Sequence, residues 1–144
     1  MKGNRRRETG DENKIIETSL QKESRLKKIT KFEDLEVWKE SMRLAVDIYH
    51  AFLSVKDYTF RDHIQRSAVS IPSNIAEGFD RNSNKEFIQY LFVSKGSCSE
   101  LRTQLYLSNE FALIEIMKAQ EFIERTKKIS AMLYNLIKTR KEKF

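Results

Sequence analysis

The chain has 144 residues, about the size of one domain, and 27 Lys and Arg against 21 Asp and Glu give it a net charge of +6. Its four Gly and one Pro are too few for the many tight turns of a β-sandwich or barrel, so long helices are expected. The lone cysteine excludes an intramolecular disulfide and a cysteine-based zinc site. No apolar run of membrane-spanning length and no secretory signal is recognisable, so we expect a cytoplasmic protein without a membrane partner.

Residues 1–31 are predicted to form a basic, disordered extension of a domain that spans residues 32–144. The extension carries ten Lys and Arg against five Asp and Glu, and its scattered aliphatic residues form no periodic apolar face. The predicted domain carries 17 against 16 and is close to neutral. A second basic cluster closes the chain at Lys138, Arg140, Lys141 and Lys143. Such basic ends either bind phosphate backbones without reading sequence or are simply solvated.

The first predicted helix begins between Thr30 and Asp34 and runs to about Ser54. Its apolar residues recur at alternating steps of four and three, which is the spacing of one helix face. We expect this stripe to face the core: Trp38, Met42, Ala45, Tyr49 and Phe52.

The second predicted helix starts at Thr59, a fair N-cap with Asp62 three residues on. Its core face is predicted to hold Ile64, Ala68, Ile71, Ile75 and Phe79. Pro72 removes one backbone donor and crowds the carbonyl of Ala68, which predicts a kink. Two shorter helices broken at Ser70 are the alternative, but the apolar phase is the same on both sides and favours one kinked helix.

Two more long helices follow. Ser83 and Glu86 match a capping box for the third helix, which runs to about Phe111. Its core stripe is predicted at Phe87, Leu91, Ser94, Cys98, Leu101 and Leu105. The fourth helix starts near Glu115–Lys118, continues to about Arg140, and has its stripe at Phe122, Thr126, Ile129, Leu133, Leu136 and Arg140. The predicted fold is all-α: an antiparallel up-down-up-down four-helix bundle with a kinked second helix.

The sequence offers little for an enzyme. It has no glycine-rich phosphate loop, no nucleophile elbow and no paired histidine motif for a metal. His50 and His63 are predicted to be surface residues, and Cys98 falls on an apolar stripe, where it should pack as a small hydrophobe. We therefore predict a non-enzymatic protein without catalytic residues, metal, cofactor or small-molecule substrate.

A polar stripe runs along the second helix, on the side predicted to lie opposite the apolar stripe. It consists of Arg66, Ser70, Asn74, Glu77 and Arg81 at steps of four, four, three and four. A solvated outer face with one Glu77–Arg81 ion pair is one interpretation. The short side chains around it favour the other, a subunit interface. Glu100 on the third helix is expected near this seam, where it would accept from Arg66 or Arg81.

Three segments together resemble the 23S ribosomal RNA intervening-sequence protein family, also called the four-helix bundle protein family. They are Phe32–Trp38 (FEDLEVW), Ser70–Gly78 (SIPSNIAEG) and Gly96–Leu101 (GSCSEL). The resemblance covers about residues 32–140 and implies a bundle that assembles into a homopentamer. One relative, the accessory protein of diversity-generating retroelements, binds a reverse transcriptase and nucleic acid through a basic surface. The resemblance also implies structural importance for Ser70, Pro72, Asn74, Glu77, Gly78 and Glu100.

The functional expectation is a non-enzymatic, homopentameric binding protein that associates with RNA or with a nucleic-acid enzyme. Because the bundle is close to neutral, we expect its nucleic-acid contacts at the two ends of the chain: Arg5, Arg6, Arg7, Lys138, Arg140 and Lys141. A protein-interaction scaffold with no nucleic-acid role is the alternative. Binding to ribosomal RNA that weakens as salt rises would separate the two.

Overall fold

The computed structural model describes residues 29–144, of which Lys31–Phe144 form one compact unit. Within this range the chain is all-helical, with no strand, as predicted. A short 3-10 helix precedes four α-helices: Phe32–Asp34, then α1 (Glu36–Ala51), α2 (Tyr58–Phe79), α3 (Asn84–Glu110) and α4 (Ile116–Lys143). The predicted extension of residues 1–31 lies almost wholly outside the described residues and stays a prediction.

Side-chain caps set the starts of α2 and α3. Ser83 caps α3, as predicted, by accepting a hydrogen bond from the Glu86 backbone nitrogen at 3.2 Å. The predicted Thr59 cap of α2 is wrong, because Asp57 accepts from the Phe60 nitrogen at 3.1 Å and the helix begins two residues earlier. Aspartate is the stronger N-cap residue, which explains the earlier start.

The predicted core stripes of α2 and α3 are largely confirmed. On α2, Phe79 is half-buried and the other four predicted residues are inaccessible to solvent, while all six residues of the α3 stripe are buried. On α4, four of the six predicted residues are buried, whereas Leu136 and Arg140 are only half-buried. These faces pack into one core between the helices.

The predicted core stripe of α1 is wrong except for Phe52, which is buried. The buried positions of this helix and its C-cap are Val37, Ser41, Leu44, Ile48 and Phe52. Ser41 enters the core because its hydroxyl donates to the Trp38 carbonyl at 2.9 Å and so has no unpaired donor.

Met42 and Tyr49, which were expected in the core, lie instead on a second apolar stripe that faces solvent, while Trp38 and Ala45 are half-buried. We call this set the outer stripe, and its members are Met42, Val46, Tyr49 and Leu53. Their exposed fractions run from 38% for Met42 to 50% for Tyr49 and Leu53, so about half of each of these apolar side chains is open to solvent. Exposed apolar stripes of this kind mark interaction surfaces more often than single exposed residues do.

Helix α2 continues through Pro72 without interruption, so the alternative of two helices broken at Ser70 is wrong. Pro72 is buried, and the helix lacks the hydrogen bond that its missing N–H would give to Ala68. The predicted kink at this position stays a prediction.

The side-chain contacts follow the order expected for neighbours that run in opposite directions. Along α2 and α3, Phe60 contacts Phe111, whereas Ser70 contacts Ser97. Between α3 and α4, the first residue of α3 contacts Arg140 near the end of α4. Short connections join the helices, and none in the described range is long and apolar enough to span a membrane.

Candidate functional site

The central part of the predicted polar stripe packs against α3. The Ser70 and Ser97 hydroxyls lie 2.9 Å apart across the two helices. Asn74 donates to the Ser70 carbonyl at 2.8 Å and to its hydroxyl at 3.0 Å. The stripe therefore lies on an intramolecular seam between α2 and α3, not opposite the core as predicted. Its role as a contact between subunits stays a prediction.

Gly78 allows the two helices to approach closely at the end of this seam. A Cβ atom at Gly78 would lie 2.4 Å from the Cβ of Tyr90 on α3, closer than real side chains come. The Tyr90 hydroxyl donates to Glu77 at 3.1 Å, and Arg81 donates to Glu77 at 2.9 Å and to the Tyr90 hydroxyl at 2.6 Å. The hydrogen bond to Glu77 and the nearby Tyr90 raise the pKa of the Arg81 guanidinium. Arg81 is thus occupied within its own chain.

The predicted partner of Glu100 is wrong. Its carboxylate lies 3.4 Å from Nε2 of His63, while Arg81 pairs with Glu77. The reason is register: Glu100 lies opposite the turn of α2 that precedes Ser70, and Arg81 lies about four turns further along α2. Arg66 is exposed and forms no ion pair within residues 29–144.

An open cleft between α3 and α4 was not expected from the sequence. Its volume is about 330 Å³, and we call it the basic cleft because, within residues 29–144, basic side chains and no carboxylate line it. The lining residues are Lys95, Arg102, Lys127, Ser130, Ala131, Tyr134 and Asn135. No ion pair within residues 29–144 involves Lys95 or Arg102.

The side chains of Arg102 and Lys127 in the cleft have different partners. Arg102 is oriented by its Nε, which donates to the Thr126 hydroxyl at 3.0 Å across the two helices. Lys127 pairs with Glu124 at 3.1 Å on an exposed surface, where such a pair contributes little. The arrangement leaves guanidinium and ammonium groups available to an anion.

The sequence estimate also missed the concentration of positive charge on α4. The helix carries eight Lys and Arg against three Asp and Glu, although the bundle as a whole is close to neutral. Averaging over residues 32–144 hides this concentration, because the acidic residues that compensate for it lie on the other elements. A bundle that is close to neutral can thus still present a basic surface, and the expectation that nucleic-acid contacts lie at the ends of the chain stays a prediction. Counting charges for each helix separately would have shown that α4 is basic, but not that Lys95 and Arg102 of the balanced helix α3 lie beside it.

The predicted basic cluster at the end of the chain belongs to α4, which extends to Lys143. Lys138 and Lys141 are exposed on the helix. Arg140 is held: its Nε donates to Asn84 at 2.9 Å, its carbonyl accepts from the Asn84 amide at 3.0 Å, and its guanidinium stacks over Phe87 and Phe144. Burial lowers the pKa of Arg140. The other predicted contacts, Arg5, Arg6 and Arg7, lie outside the described residues.

The described residues offer no arrangement of catalytic groups. No group of three or more His, Cys, Asp or Glu side chains within residues 29–144 could hold a metal ion. Cys98 is buried, as predicted, and its thiol donates to the Thr126 carbonyl at 3.0 Å. Burial raises the pKa of this thiol and so disfavours the reactive thiolate.

Comparison with known proteins agrees with the fold. The family model described as 23S rRNA-intervening sequence protein matches residues 33–135 of the chain. The chain belongs to the 23S rRNA-intervening sequence protein family. A crystal structure of a protein of unknown function, from the S23 ribosomal protein family of Bacteroides thetaiotaomicron VPI-5482, has the same fold, with a TM-score of 0.67 at 24% identity. The match covers 72% of this chain and 96% of that one. No curated protein is significantly similar in sequence.

The range matched by the 23S rRNA-intervening sequence protein family includes both the α2–α3 seam and the basic cleft. Both Ser70–Ser97 and the cleft residues Lys95 to Asn135 fall within the matched range. Lys138, Arg140 and Lys141 lie beyond that range.

Proposed function

We propose that this family member is a non-enzymatic, cytoplasmic, homo-oligomeric protein that binds RNA through the surface formed by α3 and α4. We call this surface the α3–α4 face, and it includes the basic cleft and the exposed Lys138 and Lys141. The observation that carries the proposal is the basic cleft, in which Lys95, Arg102 and Lys127 surround an open space without a lining carboxylate. Phosphate oxygens are the anions that such a set of spaced cations fits. The family's link to ribosomal RNA supports RNA as the source of those phosphates.

The cations of the cleft are continued by two exposed lysines on α4. Lys138 lies one helical turn after Tyr134 of the cleft, and Lys141 follows three residues later. On other surfaces of the bundle, most Lys and Arg residues form ion pairs with carboxylates. Examples on α1 are Lys39 with Glu36 and Arg43 with Glu40. On the α3–α4 face, therefore, phosphates compete least with carboxylates of the protein for its cations.

Removing the cleft charges tests the proposal directly. We expect the triple variant Lys95→Gln, Arg102→Gln and Lys127→Gln to lose most of its affinity for a ribosomal RNA fragment, measured by fluorescence anisotropy over a range of salt. The slope of log affinity against log salt should fall by about two to three, since each phosphate contact contributes about 0.9 or less.

The matched control removes the same number of charges from other surfaces. Lys39→Gln, Arg43→Gln and Lys118→Gln change the net charge equally, but these residues lie outside the basic cleft, and all three are paired with a carboxylate on their own helix. This variant should keep the wild-type affinity and salt slope. Equal losses in both variants would mean that net charge alone attracts RNA, and the cleft would not be the site.

Self-association is the second part of the proposal. The outer stripe of α1 supports it, because Met42, Val46, Tyr49 and Leu53 leave an apolar surface unburied in the single chain. A homopentamer is the assembly that the family resemblance implies. The same stripe favours the second candidate function, a protein-interaction scaffold that has no contact with nucleic acid.

A further inference from the structure

The α3–α4 face also carries exposed aromatic rings, which phosphate binding does not require. Tyr134 is 58% exposed, and Tyr106 and Phe92 are each 49% exposed. Exposed rings are costly to keep in water and are common where a protein binds flat ligands. A site for phosphate alone does not explain why these rings lie beside the cations.

The rings and the cations alternate along this face. Tyr134 lines the basic cleft beside Lys95 and Arg102. Tyr106 follows Arg102 by one helical turn, and the ring of Phe92 lies 5.0 Å from the ammonium of Lys141. From Phe92 to Tyr106 the face extends about 20 Å along α3, which is enough for several nucleotides.

We propose that the basic cleft binds single-stranded RNA, with phosphates on its cations and bases stacked on Tyr134, Tyr106 and Phe92. This inference rests on the proposed RNA binding and adds the kind of RNA. Bases of a single strand can turn their flat faces toward protein rings, whereas paired bases in a duplex are stacked on each other and expose only their edges. The rings therefore give a preference for unpaired RNA that cations alone do not give.

Substitution of Tyr134 separates stacking from charge. We expect Tyr134→Ala to weaken binding of a labelled oligouridine of about a dozen nucleotides by about tenfold, and to change the affinity for an RNA duplex of the same length by less than twofold. Tyr134→Phe keeps the ring and should keep the affinity. Tyr58→Ala removes a ring of similar exposure (62%) from the start of α2, outside both the α3–α4 face and the outer stripe, and serves as the control. Because Tyr134 lies outside the core, thermal melts of these variants should match the wild type.

The possible results separate this inference from the proposed function. If the wild type binds neither RNA, the proposed function fails. If it binds the duplex as tightly as the single strand, or if Tyr134→Ala binds oligouridine unchanged, RNA binding stands and stacking is wrong. Displacement of oligouridine by an acidic peptide at equal concentration would overturn the inference in favour of an acidic protein partner.

Discussion

At the scale of single residues, the two glycines in the helices have opposite surroundings. Gly78 faces Tyr90 across the α2–α3 seam with no space for a side chain. Gly96 on α3 has nothing within 4 Å of the place where a Cβ would lie, so no neighbouring backbone within the described chain uses its small size. The sequence shows both only as breaks in helical propensity.

These surroundings predict opposite effects for the same substitution. Gly78→Ala should destabilise the protein by about 1–3 kcal/mol, because the added methyl group forces α2 and α3 apart. Gly96→Ala should stabilise it by up to about 1 kcal/mol, since alanine is the better helix former and meets no neighbour. Urea unfolding of the two variants measures both values. A stable Gly78→Ala variant would show that the seam can open without cost.

At the scale of elements, the start of α3 is joined to the end of α4. Asn84 exchanges two hydrogen bonds with Arg140, one with its side chain and one with its carbonyl. The ring of Phe87 lies under the same guanidinium. Arg140, which was predicted to contact nucleic acid, therefore attaches the last turns of α4 to the start of α3. Carbonyl groups in the last turn of a helix lack partners within the helix, and Asn84 supplies one for Arg140.

Loss of this contact should loosen the end of α4. Asn84→Ala should lower the free energy of unfolding by about 1–2 kcal/mol and speed amide hydrogen exchange in the last two turns of α4. Gln89→Ala, an exposed change on α3, is the control and should leave exchange unchanged. Faster exchange throughout the bundle would instead indicate global destabilisation, and unchanged exchange would mean that α4 ends without help from Asn84.

At the scale of the whole molecule, the bundle presents two different surfaces. The α3–α4 face combines cations with rings, and the outer stripe of α1 is apolar. The two surfaces belong to different helices, so one can join copies of the chain while the other remains open to a ligand. Repetition of a weak site in an oligomer strengthens binding through avidity.

The outer stripe predicts how the assembly can be dissociated. The wild type should sediment as a homopentamer of the 17.1 kDa chain, and Val46→Glu should reduce it to monomer by placing a charge in the apolar contact. Val93→Glu, on a residue of α3 that is similarly exposed, should leave the pentamer intact. Dissociation by Val93→Glu alone would move the interface to α3, and a monomeric wild type would contradict the pentamer.

The sequence by itself determined the helices and most of their buried faces. The spacing of Ile64, Ile71 and Ile75 on α2 allows one apolar face, and Ser83 marks a helix start through a local hydrogen bond. Such features depend on residues a few positions apart, which is why periodicity and capping identify them. The family also follows from the sequence, since its motifs lie in short continuous segments.

Only the tertiary structure decided which side of α1 is buried and where the basic cleft forms. Helix α1 carries two apolar stripes, and periodicity cannot choose between Ile48 and Tyr49, because the choice depends on which side the other helices cover. Lys95 and Tyr134 are 39 positions apart in sequence and share a cleft because α3 and α4 pack side by side. Periodicity orients a residue around its own helix axis, whereas a site between helices depends on their packing.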